Sequence, residues 1–200
     1  VNVGADAIDR LHSTAKSHGR IIIVELMGRE AGWVTLEAGM AAGAHLILIP
    51  EYPMTIDEII AYVKKRMDRY GYMIVAVAEG FKPTELENVV GDESKIDAFG
   101  HIKLGGIAHY MANIISERTG YDTRSVVLGH LLRGGTPTAF DRILGTRYGV
   151  HAMELVMKGD FGRMVALKGN NIVSIPLEYG IATKKLVPFE YYKLSQIFFD

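Results

Sequence analysis

Short apolar runs alternate along most of the chain with segments in which apolar residues recur every third or fourth position. Runs of the first kind are typical of buried strands, whereas the second spacing predicts helices. The runs predict strands at residues 20–26, 46–49, 73–78 and 124–128. The spaced segments predict helices at residues 1–18, 32–43, 55–70, 105–119 and 136–157. Because strands alternate with helices, we expect an α/β fold, a parallel sheet with helices on both faces.

The remaining segments are less regular. Residues 81–99 have no clear period and predict an exposed excursion, either a loop or a lid. The turn sequence Gly169-Asn170-Asn171 separates apolar residues 164–167 from residues 172–174, which predicts a hairpin. The aromatic-rich tail, residues 179–200, is expected to be helical at its end.

Composition narrows the class of protein. With 200 residues, 48% of them hydrophobic, and a formal net charge of -1, the chain can bury the core of one domain or of two small ones. Acids and bases are interleaved, which argues against a nucleic-acid binder but leaves room for a local anion site. The absence of cysteine excludes disulfides and fits the cytoplasm, and the apolar runs are too short to cross a membrane.

Functional side chains follow three of the predicted strands. Arg29 comes after the first strand, Glu79 directly after the third, and His130 and Arg133 after the fourth. In parallel sheets, ligands bind at the carboxyl edge, where the turns that leave the strands lie together. We therefore expect these turns to form one site.

The residue types at this edge indicate the ligand. Arg29, His130 and Arg133 lie in turns bounded by glycines, and we expect them to open helices whose amino ends attract anions such as a phosphate ester. Glu79 would repel phosphate and is better suited to accept hydrogen bonds from sugar hydroxyls. Together they predict a pocket for a phosphorylated polyol. The alternative is structural: the arginines cap carbonyls and the histidine is an ordinary polar residue.

Arg20 and Arg124 stand at the amino ends of their strands and so lie roughly 20 Å from this edge. They are either solvated charges or groups that serve the pocket of a neighbouring subunit. The sequence contains no Walker phosphate loop, dinucleotide fingerprint, nucleophile elbow or zinc-protease helix motif.

Together these residues give a resemblance to a known family. The chain resembles the carboxyl-terminal part of phosphofructokinases, including the pyrophosphate-dependent members. The resemblance extends over nearly the whole chain and is carried by three motifs, ELMGR with AGW at residues 25–33, AEG at residues 78–80 and LGHLLRGGTPTAFDR at residues 128–142.

The resemblance implies a role for each candidate residue. Met27, Gly28 and Arg29 would contact fructose 6-phosphate and the transferring phosphoryl group, with Arg29 as the catalytic residue. Glu79 would hold a sugar hydroxyl.

It also implies how the 6-phosphate is bound. His130 and Arg133 would grip it from the same chain, and Arg20 and Arg124 would reach it from an adjacent subunit. The family members that the chain resembles are homodimers or homotetramers.

The activity implied is phosphoryl transfer from ATP or pyrophosphate to the 1-hydroxyl of fructose 6-phosphate, a step of glycolysis that uses Mg²⁺. The family's donor loops, magnesium-binding acid and aspartate base would all precede Val1, so this chain is expected to contain no metal site. Transfer requires all of these groups, so we expect the isolated chain to be inactive. The rival interpretation is a sugar-phosphate binding module, and the sequence leaves the donor open.

Two further expectations rest on the resemblance. Residues 1–131 would form the fructose 6-phosphate domain, residues 132–182 would belong to the donor domain, and residues 183–200 would return to the substrate domain. The positions that bind effectors in allosteric members carry other residue types here, which predicts a non-allosteric enzyme. They are His12, His45, Asp68, Tyr70, Gly71 and Tyr72.

Overall fold

The computed structural model describes residues 1–87 and 106–199. The predicted excursion at residues 81–99 lies largely outside the described residues. Of that segment, the structure shows the turn after the third strand and a single helical turn, α4 (Thr84–Glu87).

The described chain forms two compact units. The first consists of Val1–Gly134 together with Leu186–Asp200, and the second of Gly135–Lys185.

A four-stranded sheet forms the centre of the first unit. Its strands are β1 (Ile21–Leu26), β2 (Leu46–Leu48), β3 (Met73–Ala78) and β4 (Thr123–Val127). They are parallel and lie in the order β2-β3-β1-β4. Strands β1 and β3 are buried along their whole length, as continuous apolar runs in a doubly covered sheet should be.

Helices cover both faces of this sheet, which confirms the predicted fold class. These are α1 (Asn2–His18), α2 (Trp33–Ala41), α3 (Ile56–Tyr70) and α5 (Ile107–Thr119). Helices α1 and α2 pack closely on one face, since a Cβ at Gly4 would lie 2.8 Å from Leu26 and one at Gly39 would lie 2.8 Å from Ile47. Helix α5 packs on the other face, where it meets Glu25 and α3.

Helix α3 begins where the sequence predicts. The Thr55 hydroxyl accepts a hydrogen bond from the Glu58 amide, and the Glu58 carboxylate accepts one from the Thr55 amide. This reciprocal capping box satisfies two amides that the first turn leaves unpaired.

The end of the chain packs on the first unit. It contains α8 (Phe189–Ser195) and a short 3₁₀ helix, Gln196–Phe198. The buried Tyr192 donates a hydrogen bond to the Ile47 carbonyl, and the Tyr52 hydroxyl donates one to the Val187 carbonyl. The tail is therefore anchored beside β2.

The second unit contains α6 (Ala139–Met157), the hairpin of β5 (Arg163–Lys168) and β6 (Asn171–Pro176), and α7 (Leu177–Ala182). The antiparallel pairing of β5 with β6 around Gly169 and Asn170 confirms the predicted hairpin. The helix predicted at residues 136–157 begins later, at Ala139. Thr138 caps it by accepting a hydrogen bond from the Asp141 amide, so Pro137 lies outside the helix.

None of the helices in residues 1–87 and 106–199 is both long and apolar enough to cross a lipid bilayer.

Candidate functional site

The order of the strands brings three turns together. Strand β1 lies between β3 and β4, so the residues that follow β1 adjoin those that follow its two neighbours. The Glu79 amide donates to the Leu26 carbonyl at 2.9 Å, and the Leu128 amide donates to the Glu25 carbonyl at 3.1 Å. The backbone hydrogen bonds that join β1 to β3 and to β4 therefore continue into the turns that follow the strands.

Gly80 fixes the distance between the turns after β1 and β3. Its amide donates to the Gly28 carbonyl at 3.0 Å, and a Cβ at Gly80 would lie 1.8 Å from the carbonyl oxygen of Arg29. No side chain fits into that space. The two turns approach as closely as they do because this residue is glycine.

Arg29 and Glu79 both line one cleft of about 370 Å³ in the first unit. Other residues that line it are Glu30, Gly80, Phe81, Lys82, Leu86, Gly106, Ile107 and Tyr110. Burial, and secondarily the Glu85 charge, raises the pKa of Tyr110 above its usual 10, so its phenol stays protonated and can donate a hydrogen bond. The residues around the cleft thus include a guanidinium, an ammonium, two carboxylates and a phenol.

Met27 and Arg133 also lie together, since the Arg133 Nε donates to the Met27 Sδ at 3.3 Å. Arg133 and His130 are exposed and belong to a 3₁₀ helix, Gly129–Arg133. The prediction that Arg133 opens a helix is wrong, because Arg133 is the last residue of this short helix, whereas His130 is its second. Neither residue lines the cleft that holds Arg29 and Glu79.

The structure adds Glu51, which the sequence analysis missed. Both of its carboxylate oxygens accept a hydrogen bond from the Gly32 amide at 3.0 Å, and one accepts from the Val187 amide at 3.1 Å. Gly32 caps α2, so the carboxylate fixes the point where the turn after β1 enters that helix.

Glu25 is a second residue that was missed, and it lies directly beneath the site. It is the one acid in the apolar strand β1 and is only 8% exposed. Its Oε2 accepts a hydrogen bond from the Ala108 amide at 3.0 Å. Burial, and to a lesser extent the Glu79 charge, raises the pKa of Glu25, while the Ala108 hydrogen bond and the charge of His109 act in the opposite direction. An acid inside an otherwise apolar run was the signal that could have revealed it.

Arg20 and Arg124 lie at the opposite edge of the sheet, where Asp122 joins them. Its two carboxylate oxygens are 3.2 Å from Arg20 and 3.1 Å from Arg124. Strand β4 begins one residue earlier than predicted, so Arg124 is its second residue and lies opposite Ile22. The Arg20 Nε is buried and has no hydrogen-bond partner among residues 1–87 and 106–199.

No group of three or more histidine, aspartate or glutamate side chains in the described part of the chain could hold a metal ion.

The fold is that of an α/β protein with a parallel sheet covered on both faces. The polar cleft lies at the carboxyl edge of the sheet, where proteins of this class bind their ligands. The sequence model of the family described as phosphofructokinase matches residues 1–156, and the chain belongs to the phosphofructokinase family.

A relative named for pyrophosphate and one named for ATP have the same sequence identity to the chain. The pyrophosphate–fructose 6-phosphate 1-phosphotransferase of Amycolatopsis methanolica and the ATP-dependent 6-phosphofructokinase of Corynebacterium efficiens are each 48% identical to it, over 199 and 202 residues. Each match covers 100% of this chain but 58% of the relative, so the chain spans less than two thirds of their length.

A solved structure agrees with the family assignment. Phosphofructokinase from Saccharomyces cerevisiae aligns with a TM-score of 0.74 and 34% identity, over 90% of this chain and 22% of that one.

Proposed function

We propose that this chain forms the sugar-phosphate side of a 6-phosphofructokinase, which transfers a phosphoryl group from ATP or pyrophosphate to the 1-hydroxyl of fructose 6-phosphate. The observation that carries the proposal is that Arg29 and Glu79 line one cleft beside the Met27–Arg133 contact, in a chain of this family.

Each residue has a proposed role that follows from its chemistry. Arg29 is the catalytic residue: it contacts fructose 6-phosphate and stabilises the negative charge on the transferring phosphoryl group. Met27 and Gly28 contact the same two groups, and Glu79 accepts hydrogen bonds from the sugar hydroxyls. Arg133, whose Nε donates to the Met27 Sδ, binds the 6-phosphate, because a guanidinium can donate two parallel hydrogen bonds to a phosphate.

Three more basic residues complete the proposed phosphate site. His130 lies in the same 3₁₀ helix as Arg133, three residues earlier. Arg20 and Arg124 are at the far edge of a sheet whose strand β1 spans roughly 20 Å, so they bind the 6-phosphate of a neighbouring subunit. This division of the site requires a homo-oligomer.

The two units correspond to two proposed roles. The first unit is the fructose 6-phosphate domain, to which the tail returns, and the second belongs to the donor domain. Phosphoryl transfer also requires Mg²⁺, a phosphoryl donor and a base that accepts the hydroxyl proton. We place the enzyme in the cytoplasm. By itself the chain binds the sugar phosphate without turning it over.

Calorimetry tests the pocket. The 200-residue chain should bind fructose 6-phosphate, and Arg29→Ala should weaken binding at least tenfold, since it removes a charge-assisted contact. Arg10→Ala, which removes an exposed arginine on α1, should bind as the wild type does. Equal affinity of all three chains for fructose 6-phosphate would refute the proposal that Arg29 belongs to the binding pocket.

A coupled assay tests the activity. Full-length protein that contains this chain should convert fructose 6-phosphate in the presence of Mg²⁺ and either ATP or pyrophosphate, whereas the 200-residue chain should not. Turnover by the 200-residue chain would refute the proposal that it binds the sugar phosphate without converting it. Inactivity of the full-length protein with both donors would refute the proposed function.

A further inference from the structure

The position of Glu25 in β1 carries a desolvation cost. A carboxylate buried in an apolar strand loses its hydration, and the loss is tolerated only where hydrogen bonds replace the water. Here the replacement comes from α5: the Ala108 amide donates to Oε2, and the Ile107 amide also contributes. The amino end of α5, with its unpaired amides and positive dipole, suits a carboxylate.

The chain enters α5 in close contact with this carboxylate. Gly106, the residue before the helix, has φ 96°, and a Cβ there would lie 2.7 Å from the Glu25 Oε2. Both the backbone conformation and the available space therefore favour glycine at this point. The first turn of α5 is built around the Glu25 side chain.

The same turn forms part of the cleft. Gly106, Ile107 and Tyr110 line it together with Arg29 and Glu79. A second contact fixes α5 on the sheet, since the Ser125 hydroxyl of β4 lies 2.7 Å from the His109 Nδ1. Glu25 thus connects the centre of the sheet to a wall of the cleft.

We propose that Glu25 is a positioning residue for sugar-phosphate binding: by holding the Ala108 amide, it fixes the first turn of α5 as a wall of the cleft that contains Arg29 and Glu79. This inference rests on the proposed function. Glu25 acts through α5 and touches neither the substrate nor the phosphoryl group.

Kinetics of the full-length enzyme separate this role from catalysis. Glu25→Gln should raise KM for fructose 6-phosphate at least tenfold and leave kcat within twofold, because a displaced wall weakens binding of substrate and transition state alike. Glu58→Gln is the matched control, since it alters an equivalent capping carboxylate on α3, outside the cleft. Its KM should equal that of the wild type.

Amide hydrogen exchange measures directly whether Glu25 holds the Ala108 amide. In Glu25→Gln, the amide of Ala108 should exchange at least tenfold faster than in the wild type, and Glu58→Gln should leave its exchange unchanged. If Glu25→Gln does not fold, Glu25→Asp replaces it, with a carboxylate too short to reach the Ala108 amide and the same expected results.

An unchanged KM in the folded Glu25 variant would overturn the proposal, whether or not exchange is faster. A change in kcat with KM unchanged would also overturn it. Inactive wild-type enzyme would refute the proposed function instead, and exchange at Ala108 would then decide whether Glu25 anchors α5.

Discussion

The backbone of Gly80 lies against the backbone of Arg29, so that a Cβ at Gly80 would be 1.8 Å from the Arg29 carbonyl oxygen and 2.8 Å from its Cα. Through this contact, the turn that carries Glu79 determines the position of the turn that carries Arg29. The clashing atoms are backbone, which cannot rotate away as a flexible side chain would.

Gly80→Ala should therefore separate the two turns. We expect a loss of about 1–3 kcal/mol in the free energy of unfolding, as for overpacked interiors, and at least tenfold weaker binding of fructose 6-phosphate. Urea denaturation and calorimetry measure the two effects. Gly145→Ala is the control, because it adds a methyl group in open space within α6 and should stabilise the helix by about 0.5–1 kcal/mol. Wild-type affinity in Gly80→Ala would contradict the role of this contact.

Hybrid oligomers test whether Arg124 serves an adjacent subunit. Arg29→Ala and Arg124→Ala enzymes should each be nearly inactive alone. When their subunits are mixed equally and reassembled, about a quarter of wild-type activity should return, because half of the dimeric pairs are hybrids with one intact site. A coupled assay before and after subunit exchange measures the recovery.

Mixing Arg29→Ala with Arg133→Ala is the corresponding control. Both residues lie on the carboxyl side of the sheet in one chain, so hybrids contain no intact site and no activity should return. Recovery in this mixture, or none in the first, would contradict the assignment of Arg124 to the neighbour's site.

Protonation of His45 should destabilise the fold in mild acid. Burial, followed by the charges of Arg66 and His12, lowers the pKa of His45 from 6.5 to about 3, and its Nδ1 accepts a hydrogen bond from the Ile74 amide at 2.9 Å. Between these pH values the unfolded chain binds a proton that the folded chain excludes. Stability is therefore complete above pH 6.5 and falls as the pH decreases, by about 2 kcal/mol at pH 5.

Urea denaturation at several pH values checks this contribution. His45→Gln retains an acceptor but has no titratable ring, so its stability should fall by about 2 kcal/mol less than that of the wild type between pH 6.5 and pH 5. His18→Gln, which changes an exposed histidine on α1, should keep the wild-type dependence. The same dependence in all three proteins would contradict the contribution of His45.

The surroundings of His45 also favour the expected lack of effector control. The rings of His12 and Tyr72 lie edge-on to it, with centroids 5.2 and 5.3 Å away, and Asp68 accepts a hydrogen bond from the Tyr121 hydroxyl. These contacts engage the side chains of His12, His45, Asp68 and Tyr72 within the chain. Initial rates should show that ADP and phosphoenolpyruvate leave KM for fructose 6-phosphate within twofold, and a clear shift with either would contradict this.

Local patterns in the sequence determined the elements and the turns that carry chemistry. Strand β3 has the predicted bounds, α3 begins and ends within one residue of the predicted helix, and residues that follow β1 and β3 line the same cleft. These features depend on neighbours within a few positions, because periodicity records which face of an element is buried and capping occurs within one turn. The family motifs are equally local.

Only the tertiary structure decided which distant groups meet. Glu25 and Ala108 are 83 residues apart in sequence, and their contact follows from the packing of α5 on the sheet. The bridge from Asp122 to Arg20 and the place of β1 between β3 and β4 also depend on strand order and register. Hydrophobic patterning leaves that order open, because apolar strands buried on both faces can be neighbours in many arrangements, and specific contacts between them select one.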